Sequence, residues 1–127
     1  MLSAADQIEH IAVTLINSGG ILLEGSNTTV ADDDLSAYAE IRLWYPSGHR
    51  LYVMLTIDVT YGYPGWALYA YQFQDRDGRT IFRYDNWPHH RELETFPHHK
   101  HVSPDERVEA HPQPSLAAII REVRQYV

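Results

Sequence analysis

At 127 residues, with 44% hydrophobic and 21% charged side chains, the chain suits one soluble domain with a core of its own. It has no cysteine, which excludes a disulfide framework and thiolate metal ligation. A formal charge of −7 argues against a general nucleic-acid binder, because phosphate neutralisation needs cations.

From Ser3 to Asn17 the residues Ala5, Ile8, Ile11, Ala12, Leu15 and Ile16 recur at helical spacing, with Ser3 as the cap and Gly19-Gly20 as the stop. Asp6 and Glu9 in this opening segment argue against a signal peptide. The "ILLEG" stretch reads as a short strand, and the acidic "ADDDLS" at 31–36 as an exposed, solvated turn. Ala39, Ile41, Leu43 and Tyr45 then alternate with Glu40, Arg42 and Trp44, the period of a half-buried strand. After "PSGH", the residues Leu51, Val53, Leu55, Ile57 and Val59 share one face, so the two segments form a hairpin.

"YGYPG" reads as a loop, and Tyr69, Tyr71 and Phe73 then alternate with Leu68, Ala70 and Gln72. Asp77-Gly78 predicts a two-residue type I′ hairpin, because both residues tolerate positive φ. The return strand sets Thr80, Phe82 and Tyr84 against Ile81 and Arg83. Beyond Asn86 the periodicity stops, and Pro88, Pro97, Pro104, Pro112 and Pro114 predict an irregular loop of nearly thirty residues. Ser115 opens a last helix with Leu116, Ile119, Ile120 and Val123 on one face. The expected fold is α+β, a single domain over residues 1–127. It is an antiparallel β-meander of four or five strands with an N-terminal helix, a C-terminal helix and a long His-rich loop. No apolar stretch approaches the roughly 18 residues that span a bilayer, so a cytoplasmic protein with no membrane partner is expected.

The stretch "DNWPHHRELETFPHHKH", Asp85 to His101, concentrates the chemistry. It holds five of the eight histidines and the only lysine, Lys100. Residues 76–101 carry five cations against four acids, whereas the remainder carries five arginines against thirteen acids. Imidazole titrates near neutrality, so His89, His90, His98, His99 and His101 are candidate general acids and bases. Metal-free RNA cleavage needs such a pair and a fixed cation on the phosphoryl group, for which Lys100, Arg83 and Arg91 qualify. In extended chain His99 and His101 share a face and Lys100 points away, so all three converge only if the segment turns. The same imidazoles with Asp85 or Glu92 could hold a transition metal, although their spacing fits no zinc framework. A third reading is structural, with the rings satisfying backbone carbonyls of the loop. The tyrosines sit mainly at strand spacing, and a few, with Trp66 and Trp87, are candidates to stack bases.

"YQFQDRDGRTIFRYDNWPHH" followed by "ETFPHHKHV" resembles the signature of the TumE family, the toxin half of a small toxin–antitoxin operon. The resemblance spans about Tyr69 to Val102 and weakens in the C-terminal helix. Trp87 stands where the family pattern usually has a small residue. The resemblance implies a growth-arresting toxin neutralised by a cognate antitoxin protein. Its matching positions are Arg83, Asp85, Asn86, His89, His90, His98, His99, Lys100 and His101, with Asp85 a natural orienter of one imidazole. Site chemistry and analogy together suggest an endoribonuclease acting on RNA with no metal and no cofactor. In it His89, His90, His98, His99, His101 and Lys100 are catalytic, and Arg83, Arg91, Asp85 and Asn86 bind substrate. A homodimer is compatible with this reading. The alternatives are a metal-dependent hydrolase or nuclease with a His-rich site, and a non-catalytic binding module.

Overall fold

A computed structural model of the chain describes residues 3–62 and 65–127. Helix α1 spans Ala4–Ile16 and α2 spans Leu116–Val123. Between them run eight strands: β1 (Ile21–Leu22), β2 (Asn27–Val30), β3 (Ser36–Trp44), β4 (Arg50–Asp58), β5 (Gly65–Gln74), β6 (Thr80–Asp85), β7 (His99–Val102) and β8 (Arg107–Ala110). One sheet holds them in the order β1-β3-β4-β5-β6-β7-β8, with β2 also pairing β3. Every pairing is antiparallel, so from β3 onward the chain is a meander.

Period-two alternation decides which face is dry. Ala39, Ile41 and Leu43 of β3, Leu51, Val53, Leu55 and Ile57 of β4, and Tyr69, Tyr71 and Phe73 of β5 are buried on one side with Phe82 and Tyr84 of β6. Both helices close that side, burying Ala4, Ile8, Ile11 and Leu15 of α1 and Ile119, Ile120 and Val123 of α2 in the same cluster. Side-chain caps fix where the helices begin. The Ser3 hydroxyl accepts from the Asp6 N–H at 3.0 Å, and the Ser115 hydroxyl accepts from the Ala118 N–H at 3.1 Å. Cutting a fully buried side chain such as Leu15 back to Ala removes about 2–5 kcal/mol from such a core.

The sheet has more strands than the alternation predicted. β2 is exposed at all four positions, so no alternation marks it. β7 and β8 lie inside the segment expected to be irregular. Each has four residues, too few for a period to emerge, and backbone pairing holds them to the edge at β6. The irregular stretch is broken into residues 86–98, a turn at 103–106 and the 111–115 link to α2. The Asp77-Gly78 turn also differs from expectation. Gly78 takes φ +83° but Asp77 is not left-handed, so the bend is a three-residue turn closed by Asp75 N–H to Arg79 O at 2.9 Å. The Asp75 carboxylate stabilises it by accepting from the N–H groups of Asp77 and Arg79. Residues 63–64, the centre of the expected YGYPG loop, lie outside the described residues, as does the Trp66 side chain.

Candidate functional site

In an antiparallel pair, residues in register share a face. Asp85 is opposite His99 and Arg83 is opposite His101, so these four side chains stand together on the face away from the helices. Asp85 is the hub. Its Oδ1 accepts from the Trp87 N–H at 3.0 Å and faces His99 Nε2 at 3.0 Å. Its Oδ2 accepts from Arg83 Nε at 2.9 Å and lies 3.6 Å from His101 Nε2. The Asp85 and His99 side chains are only 4% and 2% exposed. The other nitrogen of His99, Nδ1, sits 3.0 Å from the Pro97 carbonyl, which can only accept. Both ring nitrogens therefore face acceptors. A buried carboxylate held by an imidazole, a guanidinium and a backbone N–H is a well-satisfied polar network.

The loop brings one more imidazole. His90 takes φ +60°, a left-handed conformation uncommon outside glycine. Its ring meets His99 edge-on at 5.0 Å and His101 at 5.9 Å, while His99 and His101 are 5.0 Å apart. One ligating atom from each of these three rings lies within 4.8 Å of the others. His90 Nδ1 is also 3.6 Å from a Glu92 carboxylate oxygen. Burial pushes the pKa of His101 down. The Asp85 carboxylate opposes this in part, and the net shift is downward.

The remaining expected site residues lie elsewhere. Lys100 points through the sheet, as its place between His99 and His101 in a strand requires. Its Nζ donates to Glu122 of α2 at 2.9 Å, and Tyr84 OH donates to the same carboxylate at 2.6 Å. Burial alone would lower the Lys100 pKa, but hydrogen bonding to Tyr84 and Glu122 outweighs it and the net shift is upward. Lys100 thus clamps α2 to the sheet.

His98 stacks on Tyr69 and sits 2.8 Å from its hydroxyl, and burial holds its pKa down. Asn86 is buried, its Oδ1 accepting from the Tyr69 N–H at 2.9 Å, which continues the β5 pairing past the end of β6. His89 and Trp87 are exposed, and Arg91 is exposed with its guanidinium 5.8 Å from the Phe96 ring centre.

Sequence reasoning passed over two residues. Gln72 accepts from Arg83 Nη1 at 3.0 Å and so helps fix the guanidinium. The alternation of β5 already put Gln72 on the open face, which was the available signal. Glu122, the partner of Lys100, lies 22 residues away on another element, and no local pattern connects them.

No described helix is long and apolar enough to cross a membrane. Comparison with curated proteins and with solved structures finds no match. A family model described as toxin TumE matches residues 12–127, nearly the whole chain and all of the cluster, and the chain belongs to the TumE toxin family.

Proposed function

We propose that this toxin is an endoribonuclease that works without metal, with His101 and His90 as its proton-transfer pair. The observation that carries the reading is the buried Asp85, which holds Arg83 and His99 and lies beside His101 at one end of an open sheet face. His101, its pKa held down by burial, is a neutral base at cellular pH. The carboxylate near Nε2 favours a proton there and leaves the lone pair on Nδ1. That nitrogen takes the ribose 2′-hydroxyl proton as the 2′-oxygen bonds to phosphorus. The 5′-oxygen leaves with a proton from His90, whose Nδ1 stands 3.6 Å from a Glu92 carboxylate oxygen. The products are a 2′,3′-cyclic phosphate and a 5′-hydroxyl. Arg83, anchored through Nε and Nη1, holds a fixed positive charge over the phosphoryl oxygens. This assigns to Arg83 the electrostatic role for which Lys100 was also a candidate. His99 is too deeply buried to touch substrate and acts as a positioning residue. The antitoxin of the same operon would neutralise the activity.

A second reading takes His90, His99 and His101 as ligands of a transition metal, favoured by the closeness of their ring nitrogens. Against it stands Arg83, whose guanidinium on Asp85 places a fixed positive charge beside any incoming dication. Fluorogenic RNA cleavage by purified protein in excess chelator separates the two. Metal-free cleavage leaving cyclic-phosphate ends is expected. Activity lost on chelation and restored by zinc or manganese would establish the metal reading instead. Growth arrest without any RNA cleavage would overturn both and favour a binding module.

A further inference from the structure

The cluster is one end of a longer row. Register places Arg42, Tyr52, Gln72, Arg83 and His101 side by side across β3, β4, β5, β6 and β7. At about 4.8 Å per strand the row runs about 19 Å. It lies on the face opposite the two helices, and the 86–98 loop meets it at the His101 end through His90. On a chain of charge −7 the row holds two guanidiniums, an aromatic ring, an amide and an imidazole, and no carboxylate. The Arg42 guanidinium lies over the half-buried Tyr52 ring, 4.7 Å from its centre. The Arg42 and Arg83 side chains are 46% and 35% exposed. In the adjoining row the acids are already engaged. Glu40 accepts from Tyr38 OH at 2.6 Å and faces Arg42, and Asp85 is held by Arg83 and His99. On the other side, Trp44 and Arg50 stand in register on the same face.

We propose that this row is a track for single-stranded RNA, which takes phosphates at Arg42 and Arg83, stacks a base on the Tyr52–Arg42 surface and delivers the next phosphodiester to the imidazoles. Cations and exposed rings along an open antiparallel sheet are the elements that hold unpaired nucleic acid, because every base has a face to stack. Continuity with the cluster sets the path of the strand. A base-paired duplex would leave no base face free for Tyr52. The inference rests on the ribonuclease reading for the fate of the strand, but not for its binding.

The test uses the full chain and a fluorescein-labelled single-stranded RNA made uncleavable by 2′-O-methyl groups. Tyr52→Leu keeps apolar bulk and removes the ring, Tyr52→Phe keeps the ring, and Arg42→Gln removes the charge. Tyr52→Leu should weaken binding about 5- to 100-fold while Tyr52→Phe stays near the parent. Arg42→Gln should weaken it and lower the slope of log Kd against log salt by about 0.7, the release expected from one phosphate contact. With cleavable RNA both losses should fall on KM rather than kcat.

Parent-like binding by Tyr52→Leu and Arg42→Gln, with unchanged melting, would overturn the track. So would variants that bind RNA normally but no longer pair with the antitoxin, which would make the face a protein interface. Row-dependent binding by a parent that cleaves no RNA supports the track and removes the ribonuclease reading. Cleavage with KM indifferent to both substitutions removes the track and leaves that reading standing. If Tyr52→Leu melts early, Arg42→Gln at an exposed position carries the decision.

Discussion

Asp85→Asn isolates what the buried carboxylate does, because the amide keeps its shape and removes its charge. In the parent this carboxylate receives Arg83 at 2.9 Å, His99 at 3.0 Å and the Trp87 N–H at 3.0 Å. In the variant an amide nitrogen must face one of these donors, and the Arg83 guanidinium loses its counter-charge. Breaking a buried ion pair from one side costs about 3–5 kcal/mol. The Arg83 side chain is 35% exposed and can turn to water, so its part is discounted, leaving about 2–4 kcal/mol. For a chain of this length each kcal/mol moves Tm by about 3–5 °C, which places the variant about 10 °C below the parent. Loss of a partner that orients a functional imidazole costs roughly 10- to 100-fold in function. Melting by circular dichroism, with RNA cleavage and growth arrest measured well below the variant's Tm, reads both effects. If Asp85→Asn melts within about 2 °C of the parent, on the order of 0.5 kcal/mol, and cleaves as fast, the account of Asp85 as hub is refuted. Full activity with a lowered Tm would keep the ion network and refute its orienting role.

Lys100→Met keeps the apolar stem beside the Phe82 and Tyr84 rings but leaves Glu122 with Tyr84 alone, and should cost about 1–2 kcal/mol of stability while growth arrest persists below its Tm. Loss of arrest at unchanged Tm would return Lys100 to the chemistry. Burial holds His98 and His101 below the ordinary 6.5, so in the window beneath 6.5 the unfolded chain binds more protons than the folded one. The stability present above pH 6.5 is therefore lost as pH falls, and His98→Phe should flatten the decline of Tm between about pH 7.5 and 5.5; an undiminished decline would clear His98. His101→Gln should lower cleavage about 10²- to 10⁴-fold, whereas exposed His89→Gln should stay within about twofold, as single-turnover rates will show.

The strands from Ser36 to Asp85 were legible because one side of each is buried and the other is not, which writes a period of two into the chain. β7 and β8 were not, because an edge strand of four residues is held by its backbone, and His99-Lys100-His101 has no apolar period to read. The same alternation nonetheless stated that Lys100 opposes its two neighbours, and the structure places it there. Gathering His90 with His99 and His101 depends on a left-handed backbone at a non-glycine position, which composition does not announce. His98 and Asn86 look like site residues in the sequence because polar groups cluster there. In three dimensions they complete hydrogen bonds of Tyr69 at the end of β5.

One short strand therefore serves two purposes through its two faces. β7 contributes little apolar surface, so its register rests on pairing with β6 and β8 and on a polar clamp on each side. Lys100 with Glu122 and Tyr84 fixes it toward the helices, and His99 with Asp85 fixes it toward the open face. A slip of one residue would send Lys100 to the open face and the two imidazoles into the core. The buried Asp85–His99 pair and the half-buried Lys100–Glu122 pair contribute no more stability than apolar side chains of equal volume would. Their physical advantage here is positional: Lys100–Glu122 and His99–Asp85 select one register, and that register is the one that sets His101 beside Arg83.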